Sequence, residues 1–255
     1  MCLIFLSVQN HPRYKLIIAA NRDEFYQRRT APAQWWQDQP GILGGRDLEA
    51  GGTWMAVSRN GKIALVTNYR DPKNIKADAP TRGHLVLDFL QNKTEPEAYI
   101  RDVEKKSGLY NGFNLLTGTV DDLWYTSNYK KGYTRLNAGW HGLSNHLLDT
   151  PWPKVVRVKE KMKTAAQKSE ILPDELMDIL YDDVRANDDQ LPETGIGLDR
   201  ERALSSMFIK SPNYGTRCST VILVDKNNHL LFSERVYNTL TFQHSTNNFE
   251  FDLNS

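Results

Sequence analysis

The chain is poor in cysteine: Cys2 and Cys218 are the two among 255 residues. Two thiols cannot build a disulfide framework, and no Cys/His spacing suggests a zinc site. Charge of one sign is also missing. With 32 basic against 31 acidic residues, nothing calls for nucleic acid or an anionic membrane surface as a partner. No apolar run approaches the ~20 residues that span a bilayer. The opening MCLIFLSVQNHPRYK has no basic stretch ahead of its apolar run, so no secretion signal is read. Repeats, low-complexity tracts and linkers are absent. These absences lead us to expect a cytoplasmic protein with no metal or cofactor and a small-molecule substrate or ligand, its oligomeric state open. What is present suffices for a core: 40% hydrophobic and 25% charged residues are ordinary for a globular chain. The length fits one large domain or two small ones, and we expect one, spanning residues 1–255.

Apolar runs and turn residues predict strands at both ends with helices between. Leu3 to Val8 and Lys15 to Ala20 read as a hairpin around Asn10-His11-Pro12-Arg13, with Asn21 to Glu24 leaving the sheet beside Cys2. Gly52 to Ser58 and Lys62 to Thr67 flank Asn60-Gly61, a strong hairpin signal. Asn114 to Val120 pairs with Leu123 to Ser127, and Thr220 to Asp225 with Leu230 to Arg235. Val236 to Phe242 is read as one more strand, and Asn247 to Ser255 as a fraying end. Helical spacing marks Thr81 to Gln91, Glu95 to Lys106, Lys154 to Gln167 and Pro173 to Tyr181, while 182–202 reads as a loop with room for a short helix. Segregated strands and helices point to antiparallel sheets, not a βαβ winding.

Cys2 has two readings. As a small apolar residue it starts a strand, where free cysteine commonly packs. As the second residue behind Met1 it becomes the N-terminus once methionine is trimmed. It then offers a thiol and an α-amine that titrate at about pH 8.5 and 8, so one residue supplies nucleophile and base. Polar clusters at strand ends supply companions: Asn21-Arg22-Asp23-Glu24, Thr67-Asn68-Tyr69-Arg70, Gly142-Leu143-Ser144-Asn145-His146 and Gly215-Thr216-Arg217-Cys218-Ser219-Thr220. A carboxylate there can hold an ammonium, a guanidinium can lower a thiol pKa, and amide N–H groups can stabilise an oxyanion. The first of these clusters alone also fits a solvated charged turn.

Other features carry less. Gly44-Gly45-Arg46-Asp47 and Gly51-Gly52 lack the Lys-Ser/Thr pair of a phosphate loop. Trp35, Trp36 and Trp54 fit a ligand pocket or a core. His84, His141 and His146 could ligate haem iron, but no C-x-x-C-H motif accompanies them. Ser144 lacks a nucleophile elbow.

The ordered set Met1-Cys2, Asn21-Arg22-Asp23-Glu24, Gly44-Gly45-Arg46-Asp47, Gly52-Thr53-Trp54, Asn68-Tyr69-Arg70, Asn111 to Leu115, Gly142 to Asn145 and Tyr214 to Thr220 resembles the NRDE family, also called the transport-and-Golgi-organisation 2 family. The resemblance runs from residue 1 to about 240, with Thr81-Arg82-Gly83 standing where the family has Ser-Arg-Gly. It implies an α+β fold of the N-terminal-nucleophile hydrolase type, a four-layer αββα sandwich of two antiparallel sheets between helices. Bile salt hydrolases and penicillin V acylases, which also begin Met-Cys, are more distantly similar. By motif, the resemblance makes Cys2 the nucleophile, Asp23 the carboxylate near its amine, Asn68 and Asn145 the oxyanion positions and Arg217 the late arginine. The acylases carry an arginine three residues before the aspartate. Here that position is Ala20, and Arg22 adjoins Asp23 instead. The implied activity is cleavage of a linear C–N amide through a Cys2 acyl-enzyme. The alternative is a carrier or chaperone for haem, an acyl-lipid or acyl-coenzyme A, in keeping with the family's links to secretory-pathway organisation, lipid metabolism and haem trafficking.

Overall fold

The structure, a computed structural model, describes residues 2–253. Elements are numbered in chain order. One sheet runs β10 (Gly139–Leu143), β1 (Cys2–Val8), β2 (Tyr14–Phe25), β11 (Tyr214–Asp225), β12 (His229–Tyr237), β13 (His244–Asp252). The other is a seven-stranded meander in sequence order: β3 (Thr30–Trp35), β4 (Ile42–Asp47), β5 (Met55–Ser58), β6 (Lys62–Asn68), β7 (Phe113–Thr119), β8 (Asp122–Ser127) and β9 (Lys130–Arg135). Every pairing is antiparallel.

Alternation of side chains along a strand divides the core into layers. Even-numbered residues of β1 and β2, among them Ile4, Leu6, Leu16 and Ile18, meet Met55, Val57, Leu65 and Leu116 of the second sheet. Odd-numbered residues, including Leu3, Phe5 and Ile17, pack against α3 (Pro153–Ala165) and α4 (Pro173–Leu180). On the far side, α1 (Gly83–Gln91) and α2 (Pro96–Lys106) cover β4 to β7 through Val86, Phe89 and Tyr99. The order is helix, sheet, sheet, helix, as the resemblance implied. Proline fills the first helical position of α2, α3 and α4, where its missing N–H costs nothing. Among the described residues no helix is long and apolar enough to cross a membrane.

Three segments differ from the sequence expectation. Asn21 to Glu24 stay inside the sheet, because Gly215 to Ser219 of β11 supply antiparallel partners. The strand expected at Val236 to Phe242 ends at Tyr237, and the chain turns on Asn238, which accepts the Phe242 N–H at 2.8 Å. In place of a fraying end, His244–Asp252 forms the edge strand β13, paired with β12 over its whole length. Asn254 and Ser255 lie outside the described residues, as does Met1, whose removal the sequence reading requires. A short helix, α5 (Leu198–Ala203), occupies the predicted loop.

Candidate active site

The two sheets part at the end where β1 begins, and a cleft of about 260 Å³ opens there. Cys2 lies in it, half-buried, with its carbonyl accepting the Ser144 hydroxyl at 3.0 Å. Burial pushes the Cys2 thiol pKa up, the Asp23 charge adds to this, and the Arg22 charge opposes it. Register places Cys2 opposite Arg22, and Arg22 opposite Cys218. Residues opposed across antiparallel strands share a face, so Arg22 lies between the two thiols. Its guanidinium stacks over the Trp54 ring at 4.0 Å and approaches Glu24 at 3.6 Å.

Asp23 faces the other way, toward the helices. It is 1% exposed and accepts the Thr216 hydroxyl at 2.7 Å, while its carbonyl accepts from Tyr214 at 3.1 Å. Burial raises its pKa, opposed first by the charge of Lys154. The cleft therefore meets the end of β1 and β2 with a thiol and a guanidinium from one face and a carboxylate from the other.

The second sheet and its loops form the far wall. Asn68 closes β6 and lines the cleft with Thr53, Trp54 and Arg82. Arg82 donates to the Gly112 carbonyl at 2.9 Å, and burial lowers its pKa. Asn111 grips Lys76 through both backbone groups, at 2.8 and 3.0 Å, which sets the 71–80 loop over the rim. Arg28 is held by Asp47 at 2.6 Å. Three arginines and three carboxylates line this space: Arg22, Arg28 and Arg82 against Asp23, Glu24 and Asp47.

The glycine motifs acquire a steric reason. A Cβ on Gly45 would sit 2.2 Å from the Trp54 ring, and one on Gly52 would sit 2.6 Å from the backbone of Gly83. Gly45 thus makes room for the platform under Arg22, and Gly52 seats the start of α1 against the cleft. Gly45→Ala is expected to cost about 1–3 kcal/mol, the usual range for overpacking a filled site, read as a lower urea midpoint. An unchanged midpoint would mean that the indole is not pinned.

Two residues named from the motifs lie elsewhere. Asn145 is fully buried and donates its amide to the Asn68 carbonyl at 3.0 Å, behind the cleft wall. Arg217 donates to the carbonyls of Phe25, Tyr26 and Arg28 at 3.0–3.1 Å, tying down the turn between β2 and β3. Of the tryptophans, Trp54 lines the cleft, Trp36 is core beneath Arg46, and Trp35 packs under Arg59. His141 is bound to Asp149 and His146 to Thr150, outside the cleft. Among the described residues no three His, Cys, Asp or Glu side chains gather to hold a metal.

Sequence reading missed Lys154. It lies on α3 at 2% exposure, and its ammonium makes no hydrogen bond among the described residues. A signal existed, since Lys154, Val158 and Met162 form one buried stripe at i, i+4 and i+8.

Comparison with known proteins agrees with this fold. The fold is similar to that of a mutant of the conjugated bile acid hydrolase from Clostridium perfringens, at TM-score 0.53 and 10% identity, covering 100% of this chain and 97% of the other. In sequence, the chain is 36% identical over 277 residues to the Transport and Golgi organization 2 homolog of Mus musculus, covering 100% of both chains. It is 36% identical, also over 277 residues and all of both chains, to the Transport and Golgi organization protein 2 homolog of Homo sapiens. Residues 1–239 match the family described as Transport and Golgi organisation 2, and with these full-length relatives the chain belongs to that family.

Proposed function

We propose that the protein is a cysteine hydrolase of the N-terminal-nucleophile type that cleaves a linear amide. One observation carries this reading: a thiol at the second position, in an open cleft, beside a buried carboxylate and a stacked guanidinium. With Met1 removed, the Cys2 amine takes the thiol proton, and the thiolate adds to the substrate carbonyl carbon. Asn68 and backbone N–H groups receive the oxyanion, with Asn145 fixing Asn68 from behind. The C–N bond then breaks as the ammonium returns its proton to the leaving amine. Water, deprotonated by the same amine, opens the thioester to give a carboxylic acid and the free thiol. Asp23 keeps the amine oriented and favours its charged form.

The lining argues against the carrier alternative. Haem and acyl-chain sites are lined mainly by apolar side chains, whereas this cleft presents six charged ones. The test is intact mass with and without iodoacetamide. The expected result is a chain lacking Met1 that takes one equivalent on Cys2, while Cys218, 4% exposed, is spared. Met1 retained on purified, folded protein would sink the mechanism.

A further inference from the structure

We propose that Arg82 is a specificity-determining residue of the cleft, its guanidinium taking a carboxylate carried by the amide substrate. This rests on the reading of Cys2 as nucleophile and adds a substrate class to it. The cleft is lined by three arginines and three carboxylates, and pairing them off leaves Arg82 over. Arg28 holds Asp47 at 2.6 Å, and Glu24 lies between Arg22 at 3.6 Å and Arg28 at 3.9 Å. Asp23 is turned toward the helices, where it accepts from Thr216. Arg82, half-buried in the cleft wall, forms no ion pair among the described residues. Of the five N–H donors of a guanidinium, one goes to the Gly112 carbonyl at 2.9 Å.

That bond fixes where the head of the side chain lies. The Gly112 carbonyl also accepts the Tyr69 N–H at 3.0 Å, so the guanidinium is held at the end of β6, beside Asn68 and Asn111 of the cleft wall. A group bound there shares a wall with the donor assigned to the oxyanion. Tethering alone does not account for an arginine, since a carbonyl needs one donor and a neutral amide side chain supplies it. Arg82 is also the N-cap of α1, whose first turn holds no acidic residue, and a cation there opposes the macrodipole. A residue that breaks a local rule is expected where function requires it. The chemistry of the fork selects the anion. Two parallel N–H groups match the two oxygens of a carboxylate, one charge against one. A phosphate dianion brings a second negative charge toward Glu24 and Asp47, which repel it. An uncharged substrate leaves donors unpaired once water is expelled, and that is costly.

The first measurement needs no turnover. The full-length Cys2→Ala chain, with isotope-labelled arginine, is titrated by NMR with N-acetylalanine, its methyl ester and inorganic phosphate at constant ionic strength. The Arg82 side-chain resonance is assigned from Arg82→Lys. N-acetylalanine is expected to shift that resonance saturably, and the ester and phosphate to bind more weakly. No saturable shift with the acid, or equal binding of the ester or of phosphate, overturns the proposal. The second measurement is kinetic. The wild-type kcat/KM for N-acylalanines is expected to exceed that for their methyl esters, and Arg82→Gln to reduce this preference at least about tenfold. Arg82→Lys keeps the charge without the fork and should retain part of it. A preference that survives Arg82→Gln intact overturns the proposal, and should that variant fail to fold, the titration decides alone. A chain that binds the acid at Arg82 yet hydrolyses no amide overturns the reading of Cys2 and leaves Arg82 a carboxylate-binding residue. A hydrolase indifferent to the carboxylate does the reverse.

Discussion

Cys2→Ala is expected to abolish the proposed turnover of N-acyl amines and to leave the fold in place. The bonds that fix residue 2 belong to its backbone: the pairing with Arg22 and the carbonyl that accepts from Ser144. Alanine keeps both. Removing a covalent nucleophile typically costs on the order of 10⁶-fold in kcat, leaving what the oxyanion donors and substrate positioning supply. Cys2→Ser retains the geometry with a far less acidic group, so a weak residual rate is expected, at most about one percent of wild type. The assay uses a panel of N-acyl amines of graded chain length, with circular dichroism and thermal melting as controls. A folded Cys2→Ala variant that keeps more than about one percent of wild-type turnover would remove Cys2 from the chemistry. Saturable ligand binding unchanged in that variant, without turnover in the wild type, would favour the carrier.

The strands around Cys2 were legible because they are driven by burial on both faces. Leu3 to Val8 and Leu16 to Ala20 are buried throughout, and continuous apolar runs read as such. Strands at the sheet margins carry no such signal. β13 has the sequence HSTNNFEFD, mostly exposed, and is held by backbone pairing to β12. β3 contains Pro32, and β4 contains Gly44 and Gly45, residues that weaken any strand reading. The site was legible as a set of motifs but not in the direction its side chains point. Arg22 and Asp23 are neighbours in sequence and fall on opposite faces of one strand. Asn145 and Arg217 present polar groups that satisfy backbone carbonyls at distant points in the chain, and no local pattern announces that. Lys154 was passed over for a different reason: a lysine within a charged helix reads as solvent-facing, although its i, i+4, i+8 alignment with Val158 and Met162 marks the buried stripe.

Removing the Glu201 carboxylate has the largest expected effect on stability. Glu201 and Arg70 form an ion pair at 2.5 Å with side chains 5% and 6% exposed. Glu201 also accepts the Thr194 backbone N–H at 2.9 Å, and Arg70 lies over the Trp152 ring at 4.8 Å. Burial lowers the Arg70 pKa, which Glu201 opposes. Glu201→Ala strands a buried guanidinium, and breaking such a pair costs about 3–5 kcal/mol. For a chain of this size that corresponds to a fall of roughly 10 °C in melting temperature. Replacing both partners by methionine should cost less than the sum of the single changes, because neither charge is then left alone. The effect should hardly depend on salt, since buried pairs are poorly screened. A melting temperature within about 2 °C of wild type would show the pair to be energetically idle. The consequence reaches the cleft. The Arg70 N–H donates to the Asn145 carbonyl at 2.8 Å, and Asn145 in turn holds the Asn68 carbonyl. Loosening Arg70 therefore slackens the wall that carries Asn68. Glu201→Ala should accordingly lower kcat at temperatures where the chain is still fully folded, coupling α5 to a site it does not touch.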